Sequence, residues 1–245
     1  MQGLLVTGLA GAITFGGGLI ALRTQVHRGA VYAFCAGALI GTALLALIPE
    51  ALELAAGAGH DPHSLLISTV VGFFVFYVLE NLPHREASHP DVLHHHHGHP
   101  TGLWAAAGLA VHSFIDGVAI GEAFDATSGL GWSLALGITL HKFADGVSVT
   151  GVMQGTQQSH RATIGMLTFA ALAPLAGVLV GPMLEISSGV RFLLLGWFAG
   201  VFLYLGATSL LPAAHEAGGS RWLTAYAISG AFFIYVGQVL SGHLG

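Results

Sequence analysis

The sequence predicts an all-α, polytopic membrane protein with eight transmembrane helices, and three observations carry that prediction. Only 8% of the 245 residues are charged and 54% are hydrophobic, against roughly 25% charged residues in a soluble globular domain. The charge-poor runs are long, and about 20 apolar residues cross a bilayer core as a helix. No run shows the short alternation of apolar and polar positions that marks a membrane β-barrel. The 36 glycines and many alanines suit helices that pack through small faces.

The spans are expected near 3–22, 31–56, 64–80, 102–124, 131–154, 162–184, 190–213 and 222–242, forming one transmembrane domain over 1–245. The first has no basic stretch before it and no small-residue cleavage site, and reads as a retained helix. Cys35 is the single cysteine, which excludes a disulfide framework and leaves packing as its expected role. A net charge of −5 gives no basis for a nucleic-acid partner.

Two connections stand out. Residues 81–101 are polar and carry His84, His89, His94, His95, His96, His97 and His99 between Pro83 and Pro100. This composition predicts a mobile loop whose neutral imidazoles bind zinc, copper or nickel weakly. Its expected role is a cytoplasmic metal sink or sensor, with a passive linker as the alternative. The other connection, 214–221, holds His215, Glu216 and Arg221.

Eight spans place Arg23, Arg28, Arg85, Arg161 and Arg221 on one side, with only Arg191 opposite. The excess of basic residues marks the cytoplasmic side, so both termini are expected outside and the His-rich loop inside.

Ionisable residues within spans are costly, at least ~2.5–3.5 kcal/mol each near the bilayer centre, and mark functional positions. Two stretches repeat one pattern: His112-Ser113-Phe114-Ile115-Asp116-Gly117 and His141-Lys142-Phe143-Ala144-Asp145-Gly146. A spacing of four puts each His and its Asp on one helix face, one turn apart. Two such helices facing each other offer two imidazoles and two carboxylates to one divalent cation. Mixed nitrogen and oxygen donors suit zinc, iron, cobalt or manganese, whereas calcium and magnesium favour oxygen alone. Four ligands complete a tetrahedral zinc site or leave positions for water. Lys142 reads as a fixed cation replacing a second metal ion, or as the neutraliser of a surplus carboxylate. Each glycine after the Asp allows close approach of a helix or of the metal.

These paired motifs, the eight spans and the His-rich loop resemble the ZIP family of divalent metal transporters along nearly the whole chain. In that family the fourth span reads His-Asn-x-x-x-Gly and the fifth His-Glu-x-x-x-Gly or a close variant. The resemblance places His112, Asp116, His141 and Asp145 at the primary transport site. Leu47-Ile48-Pro49-Glu50-Ala51 is similar to the family's Pro-Glu segment of span two, and Leu210-Leu211-Pro212 with His215-Glu216 to the end of span seven in bacterial members. Binuclear members place further ligands where this chain has Ser113, Lys142 and Ala173, so the resemblance implies one metal, with Ser113 and Lys142 as remnants of a second site. Ala46 stands where many relatives have His, so span two is expected to offer no ligand.

The resemblance also implies that spans one, four, five and six move against a scaffold of spans two, three, seven and eight, often dimeric. Uptake toward the cytoplasm across a plasma or bacterial inner membrane follows from it, with Zn²⁺ as substrate and Cd²⁺, Fe²⁺, Mn²⁺ and Co²⁺ as further candidates. Glu122 and Asp125 are expected toward the outer end of the pathway and His215 and Glu216 toward the inner end, with Glu50 a further pathway candidate. Glu122 with Asp125, and His215 with Glu216, read equally as solvated charges at helix ends. The alternative is an intramembrane metal-dependent hydrolase using the same His/Asp set; that needs an activated water and a general base. Ser113 and Glu122 are its only hints, and no His-Glu-x-x-His motif is present. A haem carrier would use paired His ligands, whereas here each His travels with an Asp.

Overall fold

The computed structural model describes residues 1–23, 28–81, 100–126, 128–184, 187–217 and 221–240. Among them the secondary structure is helical: α1 (Gln2–Arg23), α2 (Arg28–Thr42), α3 (Ile48–Ala58), α4 (Pro62–Asn81), α5 (Pro100–Ala126), α6 (Ser128–Gly155), α7 (His160–Leu184), α8 (Ser188–Tyr204), α9 (Leu211–Glu216) and α10 (Leu223–Leu240). Six segments are long and apolar enough to cross a membrane by length and composition: α1, Arg28–Ala58, Gly102–Asp125, α7, Ser188–Glu216 and α10, while Pro62–Val78 is a shorter apolar helix. The His-rich run lies outside the described residues.

Large apolar side chains face outward on many helices, among them Ile67, Trp104, Leu179 and Ile228, each 60% exposed or more. The buried set includes two Asp, two His and a Lys. Apolar outside and charged within is the arrangement a hydrocarbon solvent selects, and the chain is a multi-pass membrane protein.

The helix ends follow local chemistry. Gly59 ends α3 in the left-handed conformation at φ 70°, where glycine carries no Cβ penalty. The Ser187 hydroxyl accepts from the Val190 N–H to start α8, and the Ser159 hydroxyl accepts from the Ala162 N–H ahead of α7, both satisfying amides that lack a helical acceptor. Inside α1, the hydroxyls of Thr7 and Thr14 donate to the carbonyls of Gly3 and Ala10, so these buried groups are paired.

Two helical rods carry a wide turn. A π-helical segment, Ala43–Leu47, joins α2 to α3, and another, Leu205–Leu210, joins α8 to α9. Each ends two residues before a proline, Pro49 or Pro212. Proline has no N–H to donate and its ring crowds the carbonyl one turn back; widening the preceding turn removes that clash while the rod continues. Such π turns recur at functional sites.

Glycines set the closest crossings. A Cβ on Gly146 of α6 would lie 1.8 Å from the Thr14 carbonyl oxygen of α1, and one on Gly117 of α5 would lie 2.1 Å from the Pro174 carbonyl oxygen of α7. Similar crossings join α2 to α10 at Gly37 and α4 to α8 at Gly200. Helices α5 and α6 also pack on each other, as do α1 and α7, and α2 meets α6. The α5–α6 contact brings the two His/Asp motifs face to face.

Candidate metal centre

The glycine of each motif lies against a neighbouring helix, Gly117 on α7 and Gly146 on α1. These contacts fix the rotation of α5 and α6, and the remaining face of each turns inward with its His and Asp. His112, Asp116, His141 and Asp145 are all buried, and one ligand atom from each lies within 4.8 Å of the others. A tetrahedral zinc with bonds of ~2.0–2.2 Å spaces its ligands about 3.3–3.6 Å apart. A closure of about 1 Å at the widest pair would therefore bring the four onto one ion.

Asp116 sits at the middle of the cluster. Its Oδ2 is 3.5 Å from His112 Nε2 and 3.4 Å from His141 Nε2, and Asp145 Oδ2 is 4.0 Å from His141 Nε2. The two imidazoles stack with centroids 6.0 Å apart and planes inclined by 23°. Phe202 packs edge-on against His112 at 5.2 Å, with Phe198 at 5.9 Å. Both ring nitrogens of His112 and Nδ1 of His141 are buried without a hydrogen-bond partner among the described residues. Buried polar atoms are normally paired, and three unpaired imidazole nitrogens beside two carboxylates form a donor set fit for a cation.

Lys142 is fully buried and its ammonium is fully used. Nζ donates to Asp116 Oδ2 at 2.5 Å, to Asp145 Oδ2 at 2.6 Å and to Ser113 Oγ at 3.0 Å. Three donors meet three acceptors, so the lysine bridges the two carboxylates and the Ser113 hydroxyl. Two carboxylates and one ammonium leave the cluster one net negative charge.

A cavity reaches His112, Asp116 and His141 from the end of the molecule that holds α3; Glu50, Glu53 and Gln238 also line it, and of these Glu53 is exposed. Ala46 lies on its wall as well. A second cavity, at the end holding Arg28 and Glu216, is lined by Thr156, Thr208, Ser209 and Glu216 and by none of the four cluster residues. One π turn borders each cavity.

Glu50 lines the first cavity and Glu216 the second. Glu122 is ion-paired with Arg191, joining the end of α5 to the start of α8. His215 Nδ1 bonds to the Leu211 carbonyl at 2.8 Å. His94, His95, His96, His97 and His99 lie outside the described residues. Glu53, an ionisable residue near a span end in the sequence like Glu50, lines the first cavity too, and Gln238 lines it with nothing in the sequence to mark it.

Fold and cluster together define a membrane-embedded protein with a buried divalent-metal donor set. A sequence model of the family described as ZIP Zinc transporter matches residues 83–238. The chain is 30% identical over 235 residues to "Zinc transporter GufA" of Myxococcus xanthus, covering 91% of this chain and 92% of that protein. It is 33% identical over 227 residues to "Zinc transporter ZupT" of Enterobacter sp. (strain 638), covering 87% and 86%, and 33% identical over 225 residues to "Zinc transporter ZupT" of Escherichia fergusonii, with the same coverage. The chain belongs to the ZIP zinc transporter family, and it is a transporter rather than an enzyme.

Proposed function

We infer that the protein takes up Zn²⁺ across the plasma membrane toward the cytoplasm through a single-ion site made of His112, Asp116, His141 and Asp145. The observation that carries this reading is the buried meeting of the four donors from α5 and α6. Lys142 stands in place of a second ion, bound by the same carboxylates and by Ser113. Relatives named zinc transporters support zinc as the substrate; Cd²⁺, Fe²⁺, Mn²⁺ and Co²⁺ share the donor preference.

Eight spans follow if α4 and α6 join the six long apolar segments. The arginine pattern then puts both termini outside and Glu216 inside. In that orientation the cavity reaching the cluster opens outward and the second opens inward. The glycine crossings support α1, α5, α6 and α7 as one moving body and the remaining helices as a scaffold, with metal exposed to each side in turn. The scaffold's outer face is where a second copy would dock to give a homodimer.

In liposomes with a zinc-sensitive dye inside, the parent protein should give zinc influx, and Asp116→Ala and His141→Ala should abolish it. Parental transport by either variant would reject the site. The His-rich loop acts on this reading as an internal metal sink: deleting residues 84–99 should leave initial influx unchanged and relieve inhibition by zinc preloaded on the inner side. Loss of influx itself would overturn that role.

A further inference from the structure

We propose that Glu50 completes the loaded site, joining the ion held by His112, Asp116, His141 and Asp145 as a further carboxylate ligand. This rests on the single-ion reading above.

The charge of the cluster sets the requirement. Lys142 takes up one negative charge of Asp116 and Asp145 through two short contacts. A dication arriving at the remaining charge leaves the buried cluster with one unit of positive charge in excess. An uncompensated charge in a low-dielectric interior is costly, and buried ions persist where partners neutralise them. One more carboxylate within reach makes the loaded site neutral.

Glu50 is that carboxylate. It lines the same cavity as His112, Asp116 and His141. Its position on the rod is also telling. Ala46 lines the cavity four residues earlier, so the two share a helix face, and the methyl group at Ala46 offers no competing ligand there. The π turn Ala43–Leu47 and Pro49 lie between the end of α2 and Glu50, and an inserted residue of that kind re-aims the side chains that follow it. The two unpartnered nitrogens of His112, buried on the same cavity wall, provide the independent sign that a ligand enters from this side. Glu53, one turn farther out, is exposed at the mouth, whereas Glu50 is partly buried.

The test is zinc binding to the purified full chain in detergent, read by competition with a chromogenic chelator. Glu50→Gln should weaken binding by about tenfold or more, as loss of a ligand or its support does. Asp61→Asn, which removes an equal charge from the exposed turn before α4, should leave binding within about twofold. If charge completion is the role, Glu50→Gln should cost less than about threefold in a Lys142→Gln background, where the two aspartates alone neutralise the ion. Parental binding by Glu50→Gln, or an equal loss in both backgrounds, would overturn the proposal. Asp116→Ala separates the two readings: if it also binds like the parent, the four-residue site itself fails, and if it alone loses binding, only the role of Glu50 fails. An unchanged thermal midpoint of metal-free Glu50→Gln keeps misfolding apart from loss of a ligand.

Discussion

Lys142→Asp should raise the zinc held per chain from one ion to two and destabilise the metal-free protein by about 3–5 kcal/mol. The ammonium of Lys142 is fully buried and contacts both carboxylates. Removing it leaves like charges facing each other, and breaking one partner out of a buried ion pair carries a penalty of that order. An aspartate there adds a third carboxylate beside Asp116, Asp145 and the Ser113 hydroxyl, an oxygen-rich pocket for a second dication. Elemental analysis after gel filtration counts the ions, and thermal unfolding with and without chelator measures the stability. One ion per chain together with unchanged metal-free stability would show that the lysine occupies no second-ion position. Added zinc should restore most of the lost stability, because a ligand that binds only the folded state stabilises it by mass action.

Gly146→Ala should be nearly as damaging for a reason unrelated to charge. The new Cβ would stand 1.8 Å from the Thr14 carbonyl oxygen and 2.7 Å from its carbon. Both are backbone atoms of α1, so no side-chain rotation relieves the contact and the two helices must separate. Overpacking of this kind costs about 3 kcal/mol, and parting α1 from α6 also turns His141 and Asp145 away from α5. The expected result is a fall in the monodisperse fraction in detergent and a loss of zinc binding. Gly165→Ala is the control, because nothing lies within 4 Å of its added Cβ; alanine there should stabilise α7 by roughly 0.5–1 kcal/mol. If both alanines behave alike, the α1–α6 crossing is looser than the glycine contact implies.

Much of this architecture was legible in the sequence because hydropathy and helix length are local properties. The apolar run expected at 31–56 lies within the rod Arg28–Ala58, and the one at 190–213 within Ser188–Glu216. The spacing of four put each His and its Asp on one face of its helix, and the structure brings the two faces together. What escaped the sequence depends on partners distant along the chain. The pairing of Glu122 with Arg191 joins residues 69 apart; read alone, each was a charge near a span end. Lys142 was within reach of Asp145 by spacing, but its contacts with Asp116 and Ser113 depend on how α5 meets α6. The two π turns had a visible signal in Pro49 and Pro212, although a proline within an apolar run equally permits a kink or a helix end.

Those two prolines have a consequence for solvation. Each withholds an amide hydrogen from the turn before it, so that turn keeps a carbonyl oxygen without its usual helical donor. Both turns border a cavity, one at each end of the molecule. A peptide oxygen is a permanent dipole: it does not titrate, and side-chain replacement does not remove it. The polar group each proline frees is thus an ordinary peptide carbonyl one turn earlier, which substitutions in the cavity walls leave in place.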